Sequence, residues 1–385
     1  MKPETTDDVI DAIFDAARAG ETLEIRGGGS KVLIGAPHEA AILDMTSFGA
    51  VIDYDPPELV LTAGAGTPLS TIEALLDAEG QHLAFEPFDH GPIFGQAVGA
   101  ATIGGVVAAG VSGSRRLSAG GARDHLLGFE AVSGRGERFV AGAKVVKNVT
   151  GYDLPKLAAG SWGRLFAMTE VTLKVLPKGR ERTTLALDGL TPKAAQAALA
   201  RVLAAPTDIQ AAAVLPGARS SLTAIRLEGF GPSIAARVEM VRALWSDLGA
   251  PMALSGADAD ALWNDLKTLA PLDDGRPLWR INTPPSGGPM VVEALAPHGA
   301  RWLFDWAGGL TWLTFDGDPA LVRAAAGAAG GHAVLVRADE RLRAATPFLH
   351  PLPSGVARLE ARIRAAFDPS GVFETGRFLD TRHAD

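Results

Sequence analysis

Three glycine-rich segments in the first half of the chain limit its possible folds more than any other feature. They run from Arg26 to Ser30, from Gly99 to Gly105 and from Lys147 to Gly163. Glycine has no Cβ, so backbone at these places can turn sharply and can approach another group closely. Each segment alone has an ordinary explanation as a turn. The three in this order favour a site in which backbone surrounds a ligand.

The first segment directly follows a predicted strand at Thr22–Arg26. Successive N–H groups in such a loop can turn inward around an anionic oxygen. Ser30 adds a hydroxyl donor, and a plain strand-to-loop turn is the alternative. The candidate ligand-binding residues here are Arg26, Gly27, Gly28, Gly29, Ser30 and Lys31.

Two common nucleotide motifs are missing from the sequence. The segment around Gly104 does not fit a G-x-G-x-x-G between a strand and a helix, and no G-x-x-x-x-G-K-[ST] occurs. The chain therefore has neither the nicotinamide-type fingerprint nor the phosphate-binding loop of nucleotide hydrolases.

Composition excludes several functional classes. The net charge of −8 comes without a long basic cluster, so no nucleic-acid partner is expected. The chain has no cysteine and hence no cysteine-held iron–sulfur cluster of its own. Its longest uncharged apolar run, Ala97–Val111, is shorter than the roughly 20 residues of a membrane span and is broken by glycines. With no basic and apolar leader at the N-terminus, the expected location is the cytoplasm, any membrane association being made through partner subunits.

The 385 residues suit two domains, and Pro177 with Lys178-Gly179-Arg180 predicts the boundary. Beyond it a β-α-β-β-α order predicts an antiparallel sheet with helices on one face. The predicted fold class is therefore α+β. The predicted domains are 1–178, which carries the glycine-rich segments, and a smaller α+β cap domain at 179–385, whose C-terminal tail returns to the first domain.

The ordered segments resemble the FAD-binding domain of the vanillyl-alcohol-oxidase and p-cresol-methylhydroxylase (PCMH) superfamily, over roughly residues 5 to 178. The motifs that carry this resemblance are Thr102-Ile103-Gly104-Gly105, then Arg123-Asp124-His125-Leu126-Leu127-Gly128, and the block that runs from Gly151 through Gly163 to Lys174. The resemblance implies a two-subdomain PCMH-type domain that binds FAD. It adds these binding residues: Pro87, Gly99, Ala101, Thr102, Gly104, Gly105, Gly113, Arg123, Asp124, Gly128, Gly151, Tyr152, Asp153, Lys156, Gly160, Ser161, Gly163, Thr169 and Glu170.

The G-x-D-x-x-K-L-x-x-G-S-x-G block is typical of the glycolate and D-lactate dehydrogenase branch. The tail Phe367-Asp368-Pro369 with Gly376-Arg377 is similar to that branch's ending, although Glu374-Thr375 stand where Asn-Pro is usual. The segment from Asp305 to Trp312 resembles the smaller FAD-binding subunits of bacterial glycolate oxidases. This resemblance implies a larger catalytic flavin subunit and an iron–sulfur subunit as partners, and a small 2-hydroxy acid as substrate.

The branch's H-x-G-D-G-N-x-H motif is absent, so no metal site is predicted. Ser30 and Lys31 stand where covalent relatives often have histidine, so the expected FAD is non-covalent. The candidate catalytic residues are His350, Asp305 and Arg377, with structural pairing as their alternative. Three functions stay open: a glycolate oxidase subunit that passes electrons from glycolate to an iron–sulfur partner, a non-catalytic scaffold or electron relay, and a stand-alone 2-hydroxy-acid dehydrogenase similar to D-lactate dehydrogenases.

Overall fold

The structure is a computed structural model that describes residues 1–142, 152–216 and 220–378. Its backbone contacts divide the chain into two compact units. The first unit comprises residues 1–113, 120–178 and 351–385, and the second comprises residues 114–119 and 179–350. Within the described ranges, no helix is both long and apolar enough to cross a membrane.

Short strands and helices alternate up to Pro177. In chain order they are α1 (Thr6–Ala19), β1 (Leu23–Arg26), β2 (Ala41–Asp44), β3 (Val51–Asp55), β4 (Val60–Gly64), α2 (Leu69–Ala78), β5 (Gln81–His82), α3 (Ile103–Ala109), α4 (Arg116–Ala119), α5 (Ala122–His125), β6 (Leu126–Ser133), β7 (Arg138–Gly142), α6 (Leu154–Ala158), β8 (Phe166–Lys174) and β9 (Leu176–Pro177).

Longer helices and strands follow. They are β10 (Glu181–Asp188), α7 (Pro192–Leu203), β11 (Ala211–Pro216), β12 (Ser221–Gly229), α8 (Gly231–Leu244), β13 (Met252–Ala253), α9 (Gly256–Thr268), β14 (Leu278–Asn282), α10 (Gly288–Leu295), β15 (Arg301–Asp305), β16 (Leu310–Thr314), α11 (Pro319–Ala328), β17 (His332–Arg337), α12 (Glu340–Ala345) and α13 (Ser354–Phe367).

The first unit contains a parallel pair, β1 with β2, and a five-stranded antiparallel sheet in the order β3-β4-β8-β6-β7. Helix α1 begins with a capping box, in which Thr5 Oγ1 accepts from Asp8 N and Asp8 Oδ2 accepts from Thr5 N. The N-cap is thus Thr5, because the side chain of Asp8 returns a hydrogen bond to its backbone. Helix α1 buries Ile13 in a core shared with β1 and β2.

The C-terminal tail completes that core. Val372 and Phe373 are buried in it, and the carbonyl of Val372 accepts from Leu23 N at 2.7 Å, at the start of β1. Asp368 has no exposed surface, and its two carboxylate oxygens accept from Val372 N and Phe373 N, each at 2.9 Å. The F-D-P sequence therefore fixes the turn that places the tail beside β1.

The second unit is built on one antiparallel sheet in the order β13-β10-β12-β11-β15-β16-β14-β17. Leu199 of α7 and Trp245, just after α8, are buried against one part of the sheet, and the Trp245 indole donates to Ala198 O at 3.0 Å. Val291 of α10 and Val322 of α11 are buried against β14, β16 and β17. The α+β class with an antiparallel sheet is as predicted.

Asp368 gives a direct test of how the tail is held. Asp368→Ala removes both acceptors of two buried N–H groups, and we expect it to destabilise the first unit by about 3 kcal/mol. Hydrogen exchange of peptides that cover residues 366–376 measures the effect. Asp11→Ala, an exposed carboxylate of α1, is the matched control. Equal protection of the tail in both variants would contradict this role of Asp368.

Candidate active site: a glycine-lined groove for FAD

A groove in the first unit begins at the end of β1. It encloses about 770 Å³ of empty space, which includes space open to solvent. Its lining consists of Glu24, Ile25, Arg26, Gly27, Gly28, Gly29, Ser30, Lys31, Val32, Met45, Ala65, Thr102, Gly104, Gly105, Ala108, Ala109, Trp162, Gly163, Phe166, Met168 and Arg377.

The loop after β1 presents a row of backbone donors. Among the described residues, the N–H groups of Gly28, Gly29, Ser30 and Lys31 donate to no other group. Arg26 Nε is also buried without a partner in the described part of the chain. Unpaired donors cost free energy unless a ligand or water accepts from them. Together with the Lys31 amine, this donor set fits an anionic group such as a pyrophosphate.

Glycine is required here because two loops approach closely. A Cβ on Gly28 would lie 1.8 Å from Ala100 O, and one on Gly27 would lie 2.1 Å from Thr102 Oγ1. A Cβ on Gly104 would lie 2.7 Å from both Ala65 Cβ and Ala65 O. The first and second glycine segments thus pack against neighbouring backbone, as well as lining the groove.

Arg377 holds the loop from the tail. Its Nε donates to Ile34 O at 2.8 Å and its Nη2 donates to Lys31 O, while its own carbonyl accepts from Ala36 N at 2.7 Å. Its Nη1 lies 3.4 Å from Glu24 Oε1. The side chain was predicted as a catalytic candidate, and the structure places it in the lining of the groove, where it bonds to the loop's carbonyls.

Glu24 is the anion at the centre of this arrangement. It contacts Arg26 at 2.5 Å, His38 at 3.2 Å and Arg377 at 3.4 Å. Burial would raise its pKa, but the hydrogen bonds from His38 and Arg26 and the charge of Arg377 outweigh burial and lower the pKa to about 2. Sequence reasoning missed Glu24 because an isolated glutamate in a four-residue strand looks like a solvated charge.

The apolar part of the lining was also missed. Ala108 and Ala109 come from α3, Phe166 and Met168 from β8, and Trp162 from the loop before β8. Trp162 has φ 58° and precedes Gly163 at φ 71°, and its N–H donates to Ala108 O at 2.7 Å. A left-handed tryptophan is strained backbone of the kind that clusters at ligand sites. The alternation of apolar residues in β8 was the available signal.

The predicted binding residues divide into two groups. The groove brings together Arg26, Gly27, Gly28, Gly29, Ser30, Lys31, Thr102, Gly104, Gly105 and Gly163. Elsewhere in the first unit lie Pro87, Gly99, Ala101, Gly113, Arg123, Asp124, Gly128, Tyr152, Asp153, Lys156, Gly160, Ser161, Thr169 and Glu170. Gly151 lies outside the described residues.

Several residues of the second group have structural partners. Gly99 N and Ala101 N both donate to Asp89 Oδ2, Asp153 pairs with Lys156 at 2.6 Å, and Thr169 Oγ1 donates to Glu130 Oε1 at 3.2 Å. These contacts shape the loops and the sheet of the first unit.

The other two catalytic candidates lie in the second unit. Asp305 is buried, with Oδ2 accepting from Ser114 Oγ at 2.9 Å and Oδ1 accepting from Trp306 N at 2.7 Å. His350 Nδ1 accepts from Ala333 N at 3.2 Å, so this nitrogen is unprotonated. Burial, followed by the charge of Arg323, lowers the His350 pKa. Asp305 and His350 thus make structural hydrogen bonds, which were the alternative to a catalytic role for these side chains.

Comparison with known proteins shows that the chain belongs to a family of FAD-binding proteins. An FAD binding domain model matches residues 1–142, which include the loop after β1 and helix α3. Glycolate oxidase subunit GlcE of Escherichia coli (strain K12) is 35% identical over 372 residues, and the match covers 96% of each chain. The chain belongs to the GlcE family of FAD-binding oxidoreductases. The expected family and cofactor are therefore confirmed.

Other relatives match about half of this chain. A D-lactate dehydrogenase of Archaeoglobus fulgidus is 32% identical over 49% of this chain and 40% of its own length. Glycolate oxidase subunit GlcD of Bacillus subtilis (strain 168) is 29% identical over 48% of this chain and 38% of its own length. The solved 4-ethylphenol oxidase of Gulosibacter chungangensis aligns with 98% of this chain and 88% of its own, with a TM-score of 0.71 and 15% identity, which shows the shared fold.

Gly28 lies where the loop after β1 closely approaches the backbone of Ala100. Gly28→Ala places a methyl group against Ala100 O, which cannot rotate away, so we expect the loop to be displaced and the bound FAD to fall at least about tenfold. The flavin absorbance per protein chain measures it. Gly355→Ala, at the start of α13 with nothing within 4 Å of the added Cβ, is the matched control and keeps its FAD. Full flavin content in Gly28→Ala would refute the close approach.

Lys31 predicts a pH dependence of FAD binding. Burial lowers the Lys31 pKa to about 8; Asp89 opposes this shift and Arg377 adds to it. An anionic pyrophosphate favours the protonated amine, so binding above pH 8 requires proton uptake. We expect the Kd for FAD to rise about tenfold between pH 7 and pH 9. Below pH 7 Lys31 is already protonated, so it should cause no further change in the Kd. Fluorescence titration of the apoprotein measures it.

Lys31→Arg keeps a positive charge throughout this range and is the control, since its Kd should not change between pH 7 and pH 9. Lys31→Gln should bind more weakly at pH 7 and also show no change. The same rise in all three proteins would assign the pH dependence to another group.

Proposed function

We propose that this chain is the FAD-binding subunit of a glycolate oxidase complex and holds its FAD non-covalently in the groove of the first unit. In this role it takes part in the oxidation of glycolate to glyoxylate, beside a larger flavin subunit and an iron–sulfur subunit that receives the electrons. The observation that carries the proposal is the match to GlcE along 96% of both chains, combined with the donor-lined groove.

The lining supports non-covalent attachment. Covalent flavins are bonded to nucleophilic side chains, and no histidine, cysteine or tyrosine is among the described residues that line the groove. Backbone N–H groups, Ser30 and Lys31 would bind the pyrophosphate through charge-assisted hydrogen bonds. Ala108, Ala109 and Phe166 would contact the apolar parts of the cofactor.

A bound flavin supplies an acceptor for hydride and a store for two electrons. Arg377 and Glu24 hold the conformation of the loop that would bind the flavin cofactor. Because the chain has no cysteine, an electron acceptor of the iron–sulfur kind would be a partner's. This composition and the names of the relatives GlcE and GlcD, each a glycolate oxidase subunit, support a role beside partner subunits.

The first test is the visible spectrum of the purified chain. We expect a yellow protein whose colour passes entirely into the supernatant on acid precipitation, as intact FAD. A yellow pellet would contradict non-covalent binding, and a colourless chain that does not take up FAD would remove the proposal's basis.

The second test adds glycolate without oxygen. We expect the isolated chain to stay oxidised and the co-expressed three-subunit complex to reduce a dye with glycolate. The complex that contains Gly28→Ala should lose most of this activity, whereas the complex with Gly355→Ala should retain it. Bleaching of the isolated chain by glycolate would show a self-sufficient dehydrogenase instead.

A further inference from the structure

Two arginines of the second unit lie against the same tryptophan ring. The Arg116 guanidinium carbon is 4.3 Å from the Trp306 ring centroid, and that of Arg280 is 5.3 Å from it. Such contacts stabilise one cation, but a second guanidinium beside the same ring brings like charges together. The arrangement is therefore unfavourable unless an anion lies between or beside them.

One carboxylate beside the two guanidinium groups offsets part of their charge. Asp305 is the acidic neighbour whose charge acts on Arg280, and its oxygens accept from Ser114 Oγ and Trp306 N. Among the described residues, Arg280 makes one hydrogen bond, from Nη1 to Asn282 Oδ1 at 2.8 Å, and Arg116 makes none. Each guanidinium has five N–H donors, so most donors of the pair are available to a ligand.

The pKa values of Arg280 and His332 are both lowered in this environment. Burial lowers the Arg280 pKa to about 10; the charge of Arg116 lowers it further and that of Asp305 opposes the shift. Nearby, burial and then the charge of Arg280 lower the His332 pKa. An anion beside Arg280 would oppose both shifts, because it would favour the charged form of each group.

The fold holds the pair at a defined place. Arg280 is on β14, where its neighbours Trp279 and Ile281 are buried in the core against α10 and α11, so Arg280 points to the other face of the sheet. Trp306 begins the turn between β15 and β16. Trp306 and Ala307, at φ 51° and 55°, both have left-handed backbone. Two successive strained residues that are not glycine occur where the surrounding structure enforces them.

We infer that Arg116 and Arg280, arranged on Trp306, form a binding site for the carboxylate of a small organic acid. A planar guanidinium matches a carboxylate in a bidentate geometry, and two of them can hold its two oxygens from different directions. None of these three residues belongs to the lining of the groove in the first unit. Only the choice of glycolate as the acid rests on the proposed function.

The test is calorimetric titration of the FAD-loaded full chain with sodium glycolate at low ionic strength. We expect Arg116→Gln and Arg280→Gln each to weaken binding about tenfold or more. Arg280→Lys should not restore it, because an ammonium cannot form the bidentate pair. Arg341→Gln, an exposed arginine of α12, controls for the loss of one positive charge and should leave the Kd unchanged.

Flavin absorbance and thermal unfolding of each variant report on the groove and the fold. Arg116 is exposed and makes no hydrogen bond within the described residues, so its variant keeps the test decisive even if Arg280→Gln unfolds. Equal glycolate affinity in the wild type, Arg116→Gln and Arg280→Gln would overturn the site, as would failure of every carboxylate tried to bind. Arginine-dependent binding of oxalate or D-lactate, but not glycolate, would support the site and contradict the proposed substrate.

Discussion

The interaction between Arg377 and the loop after β1 is the one on which the first unit's site depends. A single side chain from the tail donates to Ile34 O and Lys31 O and lies beside the carboxylate of Glu24. Both charged groups are largely buried, so each needs the other, because an unpaired buried charge is strongly destabilising. This pairing fixes the curvature of a glycine loop that has few side chains to fix it.

That curvature has a consequence for binding. The loop's N–H groups are available because no strand or helix uses them, and the carbonyls that Arg377 engages stabilise the turn from behind. A backbone that cannot satisfy its own donors favours an anionic ligand, and glycines let the ligand approach. The loop is therefore preorganised for an anionic ligand. The acidic and basic side chains mainly hold the loop in this conformation.

The second unit uses charge in a different way. Its cationic pair lies on an aromatic ring with one engaged carboxylate nearby, so attraction for an anion comes from side chains on a rigid sheet and its turn. Glycine and backbone donors dominate in one unit and arginine in the other. A phosphate ester and a small carboxylate are the ligands that these two kinds of site suit.

The α+β class, the family and the FAD cofactor could be predicted from the sequence, because short strands, glycine spacing and motif order are local features of the chain. The sequence also grouped Gly27, Gly28 and Lys31 in one candidate segment, and all three line the groove. The tertiary structure alone decided that Glu24, Trp162 and Arg377 line the same groove, and that Arg116 and Arg280 share Trp306. Those residues are far apart along the chain, and no local pattern encodes which distant charges meet. Pairing between them depends on how strands and tail pack, which is a property of the whole folded unit.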